Sequence, residues 1–271
     1  MNEPQPSASP TQETLERYIG FLKRTRDMGF AGHRGGLQAT RELLEMCELR
    51  PGQRVLEVGC GSGYTACSIA REHGASVVGI DAAANLLERS RDRARSMKVA
   101  DGIALALADA RRLPFADASF DGVVCESVLA FMEGDEKAEA VAEFYRLIRP
   151  GGFLAINEMT FLRAPPPEFA EAVRGASRSL PGYLAVPVDP NAHRRLLEGA
   201  GFASVRVETG DVPLKQQTME QLQVDGFRAL KPLFASIFDK EMRNSVYKKE
   251  MGEAQRTFEA HTGYGLYFAR K

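Results

Sequence analysis

Between the β-branched stretch Val55 to Val58 and a helix-compatible stretch that begins at Tyr64 lies the run Glu57-Val58-Gly59-Cys60-Gly61-Ser62-Gly63. Glycines at such a junction permit a tight turn and a close approach of the main chain to a ligand, and the following helix presents unpaired N–H groups at its amino end. This chemistry suits a small polar molecule held against the backbone. A dinucleotide fingerprint would read G-x-G-x-x-G. The residue three beyond Gly61 is Tyr64 and the third glycine comes one place early, which disfavours a pyrophosphate. Asp81 follows 18 residues after Gly63, where a carboxylate can accept from both hydroxyls of a ribose. Asp109 ends the next apolar stretch, placed to meet the amino group of an adenine. Glu126 and Glu158 end two more. Open α/β sheets bind ligands outside the carboxyl ends of their strands, and all these residues fall at such ends. A second reading has Asp81 and Asp109 merely capping the helices that follow them.

The elements that must position these residues alternate. Strands are expected at Val55–Val58, Val77–Ile80, Ile103–Leu107, Phe120–Cys125 and Phe153–Asn157, with helices at Tyr64–Glu72, Asn85–Met97 and Lys137–Ile148 between them. Strands joined by helical crossovers imply a parallel sheet covered on both faces, a doubly wound α/β fold. Arg89, Arg91, Arg93 and Arg95 read mostly as a solvated helix face, because Glu88 and Asp92 interrupt any nucleic-acid stripe. Beyond the fifth strand, PNAHRRLLEGAGF reads as a helix closed by Gly201, Ala203–Glu208 as a sixth strand and Gly265–Ala269 as a seventh. Residues 1–13 read as a disordered tail. Residues 14–271 then form a single domain, with a helical cap over 14–50 and a helical insertion over 212–260. The Phe234, Phe238, Met242 and Val246 stripe in that insertion suits core packing, a roof over the acceptor pocket, or a homodimer contact.

A formal net charge of -1 with 26% charged residues gives no basic field for nucleic acid or an anionic bilayer. Neither a signal-peptide pattern nor an apolar run long enough for a membrane span is expected. Cys47, Cys60, Cys67 and Cys125 lack C-x-x-C spacing, which argues against structural zinc and a disulfide scaffold and fits a reducing cytoplasm. Catechol-type metal chemistry would want more carboxylates than Glu126 and Glu158 at the fourth and fifth strand ends, so no metal is expected.

The ordered segments VLEVGCGSGY, GIDAA, LADARRLPFADASFDGVV and LIRPGGFLAINE resemble the successive signatures of class I S-adenosylmethionine-dependent methyltransferases of the small-molecule, type 11-like group. The likeness runs from about Gln53 to Glu208. It implies a Rossmann-like seven-stranded sheet with an antiparallel last strand, plus helical lid elements. It also implies S-adenosyl-L-methionine as cofactor and a small-molecule acceptor. By that resemblance Glu57 meets the methionine ammonium, and Gly59, Cys60 and Gly61 lie along the methionine and sulfonium. Asp81 binds ribose, Ala82 and Leu86 pack on the nucleoside, and Asp109 with Ala110 holds adenine. Glu126 is placed with the cofactor contacts as well. The stretch GFAGHRGGLQAT resembles an amino-terminal segment that closes over the cofactor in some members, which brings His33, Gly35 and Gly36 near it; a plain helix connector is the rival reading.

A sulfonium is already a strong electrophile, so alignment of the acceptor with the methyl carbon is the main requirement. Where the acceptor needs a base, His33, Glu126 and Glu158 are the candidates by position. His73, His193 and His261 fall in surface contexts and receive no role. A non-catalytic cofactor-binding protein and an NAD-dependent oxidoreductase are the competing classes. Calorimetry separates the last: S-adenosylmethionine and its demethylated product should bind and NAD should not, and tight NAD binding with no response to S-adenosylmethionine would overturn the assignment.

Overall fold

The computed structural model describes residues 35–132, 134–167, 169–171, 186–211, 216–217, 219–220, 222 and 256–271. The expected tail, His33 and the Phe234–Val246 stripe lie outside the described residues. The elements in chain order are α1 (Gly36–Cys47), β1 (Arg54–Val58), α2 (Tyr64–His73), β2 (Ser76–Asp81), α3 (Ala84–Ser96), β3 (Ile103–Leu107), β4 (Phe120–Glu126), α4 (Glu136–Leu147), β5 (Ile148–Phe161), α5 (Pro190–Gly199), β6 (Ala203–Gly210) and β7 (Thr262–Arg270).

Seven strands form one sheet in the order β3-β2-β1-β4-β5-β7-β6. The first five run parallel, while β7 lies antiparallel between β5 and β6. Period-two alternation divides the apolar side chains of each strand between two cores. Val55, Val77, Val124 and Phe153 join Leu43 of α1 and Ile69 of α2 on one face. Leu56, Val78, Val123 and Leu154 join Phe144 of α4 and Leu197 of α5 on the other. Leu43, Leu56, Ile69 and Phe144 are fully buried, each worth about 1.5 to 3 kcal/mol over exposure. Burial on both faces explains why the strands read as short continuous apolar runs.

The helix ends follow from local chemistry. Asp189 caps α5, its Oδ1 accepting from the Ala192 amide at 2.7 Å with Pro190 in the first turn. The amino end of α1 has Gly35 as its cap residue and no side-chain cap of its own; its donor is instead taken up from far along the chain, as described below. Strand β5 is much longer than the expected Phe153–Asn157, because β7 pairs with it from Phe153 to Phe161. A partner strand 100 residues away supplies hydrogen bonds that local apolar pattern does not reveal. Among the described residues no helix is long and apolar enough to cross a membrane.

His193 corrects an expectation. Read as a surface residue, it is 3% exposed, its ring centroid 4.4 Å from that of Tyr267. Its Nε2 has no hydrogen-bond partner. The sequence placed it in a surface context, but the helix turns that position onto β7. Burial, with a smaller contribution from Lys137, pushes the imidazole down to about 4, against about 6.5 in an unfolded chain. Between those values the unfolded chain binds more protons, so the stability contributed by the neutral ring is complete above about pH 6.5 and is lost as pH falls through 4. The buried Glu158, pushed up to about 7, acts in the opposite sense and cancels in a comparison with a His193 variant. His193→Phe keeps the ring contact and removes the proton. Chemical denaturation at pH 7.5 and pH 5 should show wild type losing about 2 kcal/mol more than the variant, and equal losses would refute burial as the cause.

Candidate active site

The strand order reverses between β1 and β4, so the loop after β1 and the end of β4 open side by side at the carboxyl edge of the sheet, where such folds bind ligands. The loop is fixed from three sides. The Cys60 amide donates to the Ile80 carbonyl at 2.9 Å and the Gly63 amide to the Cys60 carbonyl at 2.8 Å. From α3, Arg93 Nε donates to the Ser62 carbonyl at 2.9 Å, so Arg93 is a clamp and departs from the solvated reading of its neighbours. Gly59 adopts φ 70° and Gly63 φ 79°. A Cβ on Gly63 would lie 2.2 Å from Ser90 Oγ, and one on Gly59 2.3 Å from a methyl of Val128. Both positions therefore require glycine for backbone shape and for closeness.

A cleft of about 600 Å³ opens beside this loop. Of the residues expected at the cofactor, Gly59, Asp81, Ala82, Asp109 and Ala110 line it. Asp81 Oδ2 accepts from the Gly61 amide at 2.9 Å and Oδ1 from the Ala83 amide at 2.8 Å. The capping reading and the ligand reading of Asp81 are thus compatible, since each carboxylate oxygen can accept twice. Leu86 is half-buried in the first turn of α3, and Cys60 is buried under the loop. Burial, with Glu57 and Asp81 nearby, pushes the Cys60 thiol well up, which leaves it unreactive.

Three buried or half-buried acids behave differently. Glu57 is 5% exposed, and its Oε2 has no hydrogen-bond partner. Burial first, then the negative charge of Glu126, pushes its carboxyl well above the usual range. Glu126, at the end of β4, accepts from Thr40 Oγ1 at 3.0 Å, Thr65 Oγ1 at 2.8 Å and Asn157 Nδ2 at 3.1 Å. The next residue, Ser127, sits at φ 53°, an uncommon conformation for a residue with a side chain. Glu158 is fully buried. Its Oε1 accepts the amides of Val128 and Leu129 at 3.0 and 2.7 Å, and its Oε2 that of Ala130 at 3.2 Å. This carboxylate holds the turn after β4 and does not line the cleft.

Sequence reasoning missed Arg111, Phe131, Met132 and Glu136, which also line the cleft. Arg111 stands two residues after Asp109, as Ala83 does after Asp81, and both amides donate to the preceding aspartate. That repeated Asx-type turn was a readable signal. Phe131 and Met132 gave none, because what brings them there is the turn capped by Glu158.

The methyltransferase domain family matches residues 56–156. The chain is 41% identical over 125 residues to Methyltransferase GfsG of Streptomyces halstedii, covering 46% of this chain and 44% of that protein. It is 27% identical over 240 residues to Phosphoethanolamine N-methyltransferase 3 of Arabidopsis thaliana, covering 88% of this chain and 46% of that one. The chain therefore spans less than half the length of both. Its fold matches the structure of Haemonchus contortus phosphoethanolamine N-methyltransferase 2 in complex with phosphomonomethylethanolamine and S-adenosylhomocysteine, with a TM-score of 0.66 and 21% identity over 100% of this chain and 62% of that one. Residues 56–156 thus resemble a methyltransferase domain, and the sheet with its antiparallel seventh strand has the fold of that solved neighbour.

The two oxygens of Asp81 tie loop to strand and face the cleft through the same residue. Asp81→Ala should weaken S-adenosylhomocysteine binding by about 1.5 to 3 kcal/mol, or about 10- to 150-fold, in calorimetry. An unchanged affinity with an intact circular dichroism spectrum would leave Asp81 only its structural contacts.

Proposed function

We propose that the chain transfers the methyl group of S-adenosylmethionine to an oxygen, nitrogen or carbon nucleophile of a small molecule by direct in-line displacement. The observation that carries this reading is the buried Glu57 carboxylate, with one oxygen unpartnered and the negative charge of Glu126 near enough to make its ionisation more costly. Buried anions call for a cation. The methionine ammonium and sulfonium of the cofactor carry positive charge, whereas the pyrophosphate of NAD would add two more negative charges. In this reading Glu57 takes the ammonium, and Gly59, Cys60 and Gly61 lie along the methionine. Asp81 takes the ribose hydroxyls, Ala82 and Leu86 the nucleoside, and Asp109 with Ala110 the adenine edge.

The protein's part in the chemistry is alignment and exclusion of water. Glu158 is committed to three amides, so it serves as a support and not as a base. Glu126 already accepts from three side chains. Its role is to orient Thr40, Thr65 and Asn157 around the transfer point, with any proton it receives coming from an acceptor group held there.

The amino-terminal cap and the 212–260 insertion together roof the acceptor side. Support comes from Glu220, whose Oε2 accepts from the Leu37 amide at 2.9 Å and whose Oε1 lies 3.7 Å from Arg41 Nη2. Gln216 Nε2 also donates to Gln38 Oε1 at 3.4 Å. The uncapped amino end of α1 is thus capped from 183 residues away, and Thr40, on the same first turns of α1, reaches Glu126. A labelled-methyl transfer screen over small metabolites tests the activity, and the acceptor it identifies tests the roof. Glu220→Ala should raise KM for that acceptor by about 5- to 30-fold, the scale of a lost cap, with the cofactor Kd little changed. Equal loss of affinity for both ligands would refute the roof. Firm cofactor binding with no transfer to any acceptor would favour a non-catalytic binding protein.

A further inference from the structure

The turn that follows β4 forms one wall of the cleft. Val128, Phe131 and Met132 line the cleft there, and Val128 packs so near Gly59 that a Cβ on that glycine would lie 2.3 Å from its methyl. Within the turn the Phe131 amide donates to the Val128 carbonyl and the Met132 amide to the Leu129 carbonyl, both at 3.1 Å. From the segment that leads into α5, the Val186 amide donates to the Ala130 carbonyl at 2.9 Å. The amides of Val128, Leu129 and Ala130 point inward to the fully buried Glu158 carboxylate, two to Oε1 and one to Oε2.

The state of that carboxyl decides whether all three amides can be accepted. A carboxylate only accepts, whereas a protonated carboxyl carries a donor on one oxygen. A proton on Oε2 would meet the Ala130 N–H donor against donor, and one on Oε1 would meet two such groups. A buried amide that loses its acceptor bears the full cost of its lost hydration, and the turn relieves that cost by moving. Burial pushes Glu158 up to about 7, against the three amides and Lys137, which pull it down. Both forms are therefore close in free energy near neutral pH. Around Glu158 stand Cys125 of β4, which also feels Glu126, Lys137 of α4 and Tyr267 of β7, with Asp189 and His193 behind Tyr267. Burial pushes the Cys125 thiol well up, the Tyr267 phenol to about 12 and the His193 imidazole down to about 4. None of these three changes charge between about pH 6 and 8.5.

We propose that Glu158 is a positioning residue for the cofactor: its ionised carboxylate holds the wall of Val128, Phe131 and Met132 in the shape the nucleoside fits, so that cofactor affinity follows its charge. The proposal rests on the reading of this cleft as the S-adenosylmethionine site. It goes beyond that reading by assigning the strength of binding, and its dependence on pH, to a buried group that does not line the cleft.

The test is calorimetry of S-adenosylhomocysteine binding to the full chain across pH, wild type beside Glu158→Gln. Whichever way its amide is turned, glutamine sets a donor against at least one of the three N–H groups, so the variant reproduces the protonated state. At pH 8.5 it should bind about tenfold more weakly than wild type, the scale of one hydrogen bond to a charged group. The ratio should fall below about twofold at pH 6, because wild-type affinity is full above the Glu158 midpoint and is lost as pH falls through it. Glu57 titrates into the same cleft, but its contribution is common to both proteins and cancels in the ratio. A ratio near one at every pH, in a variant that denaturation shows to be less stable, would leave Glu158 a residue of the fold only and overturn the proposal. A large ratio that does not change with pH would overturn it as well. Linkage is reciprocal, so carbon-13 NMR of wild type should show the Glu158 carboxyl titrating at a pH about one lower when S-adenosylhomocysteine is bound. An unmoved midpoint overturns the proposal without any variant. Wild type that fails to bind S-adenosylhomocysteine would overturn the reading of the cleft and this proposal with it. Asp81→Ala separates the two failures: weakened binding in that variant beside a flat Glu158 ratio overturns the positioning role alone.

Discussion

The carboxylate of Glu126 is the point on which the site is assembled. A charged group taken out of water needs donors around it, and among the described residues Thr40 of α1, Thr65 of α2 and Asn157 of β5 supply them. One side chain at the end of β4 therefore aligns two helices and the neighbouring strand at the edge where the strand order reverses. Nothing in β4 beside it demands a carboxylate there, since the preceding Val123, Val124 and Cys125 are apolar and buried. The residue is better understood as the keystone of the cleft than as part of the sheet.

Three glutamates within this small region show how environment separates roles among chemically identical groups. Glu158 is satisfied by three main-chain amides and acts as a brace for the turn that carries Val128 and Phe131 into the cleft. Glu126 is satisfied by side chains and acts as an organiser. Glu57 has one oxygen left over, and an incompletely satisfied buried group is where a ligand is expected. A cation at that point would relieve both its desolvation and its repulsion from Glu126.

The connections over the site are of long range. Glu220 reaches α1 across 183 positions of sequence, and Tyr264 of β7 donates to Glu42 of α1 at 2.8 Å across 222. Helix α1 is thus held by Glu220 at its amino end and by the last strand along its length, while it presents Thr40 to Glu126. Such contacts close long loops at little extra entropic cost per added residue.

Local chemistry was enough to determine the order and type of the elements, the glycine loop, and the acidic positions at the strand ends. Val55–Val58 and Ile103–Leu107 are readable because a buried parallel strand is a short run of apolar residues, and Gly59 to Gly63 because main-chain shape is encoded by the absence of side chains. What those acids do was decided only by tertiary structure. Asp81 and Asp109 look alike in sequence, yet Asp81 accepts from the Gly61 amide of the loop and Asp109 from the amide and side chain of Arg111. Glu126 and Glu158 look alike, yet one gathers hydroxyls and an amide side chain and the other main-chain amides. His193 was read as exposed and is buried; Arg93 was grouped with a solvated face and clamps the loop; β5 extends well past its apolar core because β7 arrives beside it. The physical reason is common to all of these. A side chain's propensity is a property of its own few neighbours in sequence, whereas its hydrogen-bond partners, its dielectric surroundings and its charge are set by whichever distant segments the fold brings within about 3 Å.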